Sequence, residues 1–196
     1  MTTPPIPERP RIVIDANLFF VPPVRDVLLT AGWLEGTRLI EVVWSEALLA
    51  EVARNWSRVT GPERAEERWG HFEGRFRSEF ATGLVESLAP LPPGGRIAPE
   101  DRHVVALALA ARAQGIVTLN LRDFPTRELA ALGLQVWHPD ALCRELHVLD
   151  PTAMLAVLNY QGAALRRPRS LAATLDALAK VCPRFVEQVR ADAASR

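Results

Sequence analysis

The chain has 196 residues, 48 % of them hydrophobic and 23 % charged, and its 23 Lys and Arg balance 23 Asp and Glu. That is the make-up of one ordinary packed domain, and it excludes a uniformly basic coat for nucleic acid while leaving room for a local basic patch. Two cysteines, Cys143 and Cys182, are too few for a disulfide scaffold or a four-thiolate zinc site, so free buried thiols are expected.

Met1–Pro10 is Pro-rich, reads as extended and lacks the apolar segment of a secretory signal. Ile12, Val13 and Ile14 form a short β-branched run that ends at Asp15 and reads as a buried strand. A second strand is expected over Leu39–Trp44. Ser45 then caps a helix running through Trp56, with Leu48, Leu49, Val52 and Trp56 on one face. Pro62 opens a helix on which Trp69, Phe72, Phe76 and Phe80 recur at three- and four-residue steps, and APLPPGG (89–95) breaks the chain. That aromatic stripe reads as a packing or dimer face rather than as a base-stacking platform. Pro99 suits the first turn of a helix ending near Gln114, with Gly115 just beyond it. The third and fourth strands are expected over Ile116–Leu119 and Leu134–Trp137.

Short, continuously apolar strands separated by helices are the pattern of an α/β fold with a parallel sheet covered on both faces. After residue 148 only helices are expected: Asp150–Pro151 begins one, RRPRS (166–170) interrupts, Ser170 caps the next, and Pro183 starts a third. Residues 1–148 therefore read as one domain and 149–196 as a helical appendage, which holds seven Lys or Arg against three acids. The longest strictly apolar run, Val104–Ala111, is far short of the roughly 18 residues of a membrane span, so a cytoplasmic globular protein is expected.

Four acids stand out by position. Asp15 ends the first strand, and parallel sheets open their ligand crevice beyond the carboxyl ends of their strands. The third strand leads to Asn120 and, three residues on, Asp123. Asp101 is in phase with Val104, Val105 and Ala108, and Glu51 adjoins Val52 on the apolar face of its helix. Each has a plain alternative: a first-turn acid for Asp101, a pairing with Arg54 or Arg58 for Glu51, turn positions for Asp15 and Asp123. Jointly they put carboxylates where ionised groups are costly, and a hard divalent cation, Mg2+ or Mn2+, suits such a set. His103, two residues from Asp101, is expected about 200° around the helix and so away from these acids. His138 and His147 have no metal-ligand spacing to a cysteine.

At these residues the chain resembles the PIN-domain family, and within it the VapC-type toxins of bacterial toxin–antitoxin pairs. The motifs are IVIDANLFF (12–20), WSEALLAEV (44–52), PEDRHVVALALAARAQGIVTLNLRDFP (99–125) and VWHPDAL (136–142), in family order over about two thirds of the chain. The resemblance implies a three-layer domain around a mainly parallel sheet of four to five strands, which cuts single-stranded RNA with Mg2+ or Mn2+. Asp15, Glu51, Asp101 and Asp123 would then be the catalytic, metal-binding carboxylates. Asn17, Ser45 and Asn120 would support the site, and Arg122 is the first choice to hold substrate phosphate, ahead of Arg54 and Arg102. A small antitoxin protein and a second copy of the chain are the implied protein partners.

The chain departs from the family at Asn120, where many members carry Asp. That substitution favours an alternative, a catalytically idle RNA-binding module, and it bears on one metal ion against two. A phosphatase with Asp15 as nucleophile would want a second Asp at position 17, where Asn17 stands.

Overall fold

The computed structural model describes residues 7–91, 96–165 and 167–194. The expected extended segment at 1–6, the centre of the 89–95 break, residue 166 of RRPRS and the side chain of Arg58 lie outside the described residues.

Four strands, β1 (Arg11–Ile14), β2 (Glu41–Val43), β3 (Gly115–Val117) and β4 (Gln135–Trp137), form an all-parallel sheet in the order β2-β1-β3-β4. The two central strands pair in the register Ile12↔Gly115, Val13↔Ile116 and Ile14↔Val117. Ile12, Val13, Ile14, Ile116 and Val117 are buried, as continuous apolar runs in a sheet covered on both faces require. This is the α/β architecture expected from the sequence.

The strands are shorter than the apolar runs that encode them, because backbone partners set their ends. Leu39 and Ile40 are buried, but both donate their N–H groups to the Ala31 carbonyl, at 2.8 and 3.3 Å, so β2 starts at Glu41. Trp44 makes a single parallel bridge with Leu84. Beside it, Trp44 N donates to the Gly83 carbonyl, and a Cβ on Gly83 would lie 2.0 Å from the Val42 carbonyl oxygen, so only glycine fits there.

The described residues fall into two compact units, one of Arg11–Val21 and Val42–Val136, the other of Pro22–Glu41 and Trp137–Arg196 with Met1–Pro10. The first holds most of the sheet, a 3-10 turn (Ala16–Phe20), α2 (Glu46–Thr60), α3 (Ala65–Glu79), α4 (Arg102–Ala110) and α5 (Thr126–Ala131). Here α4 packs on β1 and β3, and α2 packs on α3, α4 and the 3-10 turn. The Ser45 hydroxyl accepts from Leu48 N at 3.3 Å, the expected cap of α2. Helix α4 stops four residues earlier than expected. Arg112 turns the chain with a positive φ of 50°, and Gln114 N donates to the Arg11 carbonyl, joining β1.

The aromatic stripe of α3 is packing within this unit. Phe76 and Phe80 are buried; Phe72 lies 4.7 Å from Trp56, and Phe76 lies 5.4 Å from Trp44 and 5.8 Å from Phe19, centroid to centroid. Trp44 Nε1 donates to the Phe80 carbonyl at 2.7 Å. Arg77 covers the Trp44 ring and forks onto both oxygens of Glu46, with Glu73 as a third member.

The second unit is helical: α1 (Pro22–Trp33), α6 (Pro139–Leu149), α7 (Pro151–Ala163), α8 (Leu171–Leu178) and α9 (Pro183–Ala194). Helix α1 packs on α7 and α8, and α6 packs on α7 and α9. Asp150 and Ser170 cap α7 and α8 as expected, accepting from Ala153 N and Ala173 N. Between α6 and α9, the Asp140 carboxylate accepts from Phe185 N at 2.9 Å, and buried His147 pairs with Asp192 at 2.8 Å. Cys143 and Cys182 are free, buried and in contact; the hydrogen bond between them and their burial push the Cys143 thiol up. No helix among the described residues is long and apolar enough to cross a membrane.

Candidate active site

Every residue singled out for the site lies in the sheet-bearing unit, and the central strand pair organises it. Asp15 continues the β1 ladder by one bond, its N–H donating to the Val117 carbonyl at 3.0 Å. That register brings Asp15 beside Thr118, the first residue after β3. Asp15 is 6 % exposed, and its Oδ2 accepts from the Thr118 hydroxyl and from Asn17 Nδ2, each at 2.7 Å. Thr118 Oγ1 in turn accepts from Asn17 Nδ2 at 2.9 Å and from Asn120 N at 3.0 Å, and Leu119 N donates to Asn17 Oδ1. Asn17 thus braces Asp15 against the chain leaving β3. Asn120 joins through its backbone N–H, and the residue itself is exposed. Thr118, fully buried, is a member that the sequence reading passes over. Its signal was a hydroxyl closing an apolar run, directly opposite an acid closing the paired run.

Asp15 holds its proton more tightly than an ordinary carboxyl: burial raises its pKa, the Thr118 hydrogen bond opposes, and the Glu51 charge adds. Asp101 ends a 3-10 turn, Pro99–Asp101, and its pKa is pushed up to about 6. Burial leads there, followed by the charges of Asp15, Asp123, Glu100 and Glu51. The four carboxylates from distant parts of the sequence therefore feel one another in one place. Glu100 is a fifth acid acting on the cluster that sequence reasoning did not include. Glu51 is half-buried on α2, and Asp123 is exposed at the end of the short turn Leu121–Asp123. Arg122 is exposed in that same turn, whereas Ser45 spends its hydroxyl on the α2 cap.

His103 corrects the expectation that it faces away. Its Nε2 lies 3.1 Å from Glu51 Oε2, and Nδ1 lies 2.8 Å from the Glu100 carbonyl oxygen. The phase argument fails because Asp101 belongs to the 3-10 turn, with φ −95° and ψ −8°, so steps of 100° per residue do not apply between them. Its pKa is raised, chiefly by Glu51 and against the effect of burial.

The donor set fits a hard dication in kind: carboxylate oxygens, partly withdrawn from water, with mutual repulsion that such an ion would relieve. Among the described residues no three His, Cys, Asp or Glu side chains stand as a ready-made metal-holding group.

A pH dependence follows. Asp101 and Asp15 bind protons more tightly folded than unfolded, so the metal-free fold loses stability as pH rises from about 4 through about 6, and the loss persists above. His103, also raised, contributes stability that is present below its unfolded pKa and lost as pH climbs through the folded one. All three act in one direction. The metal-free protein should melt at a lower temperature at pH 8 than at pH 5.5, and Asp101→Asn should narrow the gap. An equal gap in the variant would show that Asp101 does not carry this repulsion.

A parallel sheet with buried acids beyond the carboxyl ends of its central strands defines an acidic pocket of the hydrolytic, cation-binding sort. Among curated proteins, 92 residues of the chain are 34 % identical to a protein of Mycobacterium tuberculosis named "Putative ribonuclease VapC50". The match takes in 46 % of this chain and 54 % of that protein, so the chain spans about half the length of the curated relative it matches. No family model and no solved structure matches the chain.

Proposed function

We propose that this chain is a Mg2+- or Mn2+-dependent endoribonuclease of the VapC kind, in the PIN-domain family. It hydrolyses phosphodiester bonds of single-stranded RNA and acts in the cytoplasm as the toxin of a toxin–antitoxin pair. The observation that carries this reading is the meeting of Asp15, Glu51, Asp101 and Asp123 in one electrostatic cluster, felt most strongly at Asp101. Likeness to a protein named as a ribonuclease supports it.

Asp15, Asp101, Asp123 and Glu51 would hold the cation. When bound, it supplies charge neutralisation at the phosphate and a water acidic enough to react near neutral pH. Asp15 is held by Thr118 and Asn17 and is the fixed member of the set. Asp101 or Asp123 accepts the hydrogen bond that orients the attacking water. Arg122, exposed beside Asp123, reaches a substrate phosphate with its forked donors. A small antitoxin protein restrains the activity by covering the acids, and a second copy of the chain is a further partner.

A second reading, RNA binding without catalysis, is favoured by Asn120 in place of an acid. One experiment separates the two. The full chain is incubated with labelled single-stranded RNA and Mg2+ or Mn2+, with and without excess EDTA. Cutting that stops in EDTA and returns with added Mn2+ is the expected result. RNA bound, uncut and indifferent to chelator would replace the enzyme with the binding module.

A further inference from the structure

His103 has no part in the scheme above, yet both of its ring nitrogens are committed within the site. A carbonyl oxygen can only accept, so the 2.8 Å contact with Glu100 O requires the proton on Nδ1. That bond fixes the ring and turns Nε2 onto Glu51 Oε2 at 3.1 Å. Neither nitrogen is left to take a proton from water, which argues against a general base. Glu51 is the half-buried acid whose long side chain has most freedom to swing away, and α2, which bears it, packs on α4, which bears His103. Holding one carboxylate oxygen leaves the other for a cation. Ligating carboxylates are commonly oriented by such outer partners, whose loss costs about 10–100-fold in metal affinity or activity.

We propose that His103 is a positioning residue, which holds Glu51 by one oxygen so that the other is presented to the divalent cation. The inference rests on the metal-dependent reading above and adds to it a residue that touches neither cation nor RNA.

Mn2+ binding to the full chain is measured by calorimetry at pH 7.5, with the melting temperature of each variant. His103→Ala should weaken Mn2+ about 10–100-fold. His103→Gln, which can return an N–H to Glu51, should restore most of that affinity. In a Glu51→Gln background, His103→Ala should add nothing, because the group it positions is gone. Mn2+ bound as tightly by His103→Ala as by the unaltered chain would overturn the positioning role while leaving the nuclease reading intact. So would tighter binding, which would make the ring a counter-charge that the cation displaces. A full additional loss in the Glu51→Gln background, or no rescue by His103→Gln, would assign the effect to packing and also overturn it. Absence of Mn2+ binding by the unaltered chain would overturn both readings together.

Discussion

Asp101→Asn is expected to lower divalent-metal-dependent cutting of single-stranded RNA by more than about 100-fold, the upper end of what loss of an outer-shell partner alone costs. The substitution keeps an oxygen in place and removes the charge, so it isolates electrostatics from shape. It should not unfold the protein. In the metal-free state the Asp101 charge is held against burial and four other acids, which is why its pKa stands at about 6. Relieving that conflict should hold or raise the melting temperature at pH 8 while activity disappears. The contrast between the two readouts is the test, made by RNA cleavage and thermal melts on the same preparation. Full activity would take Asp101 out of the site. Asp15→Asn should be equally inactive, but it exchanges a carboxylate that accepts from Thr118 and Asn17 for an amide, so some loss of stability should accompany it.

The largest effect on stability is expected from Phe76→Ala. Phe76 is 2 % exposed and meets Phe19, Trp44, Phe72 and Phe80 at ring separations of 5.0–5.9 Å. Truncating a buried Phe costs about 3–5 kcal/mol, which for a chain of this size corresponds to about 10 °C in melting temperature. RNA affinity measured well below that temperature should be unchanged. A variant that melts normally but loses RNA would reverse the assignment and make the stripe a stacking platform.

The sheet was legible because a strand buried on both faces must be apolar along its whole length, and Ile12–Ile14 and Ile116–Val117 are. Strand and helix ends were not, because distant backbone partners decide them: Ala31 takes the N–H groups of Leu39 and Ile40, and Arg11 takes that of Gln114. Helices α1 and α6 went unread, since Pro22–Pro23 and Pro139 look like breaks although proline is at home in a first helical turn. In the site, strand ends and helix phase brought forward the acids that the fold gathers. Thr118 and His103 escaped for opposite reasons. One is a hydroxyl made significant only by the register of a partner strand. The other was counted with an α-helical step through a turn that is not α-helical.

The ladder bond from Asp15 to Val117 gives the candidate site an unequal anatomy. Its first acid inherits the stiffness of the molecule's innermost hydrogen-bonded pairing, so its place is settled once the chain has folded. Asp123 stands on an exposed three-residue turn with far less to hold it. Adjustment to differently shaped targets therefore falls to that rim, and changes in preference should accumulate around it while the floor stays constant.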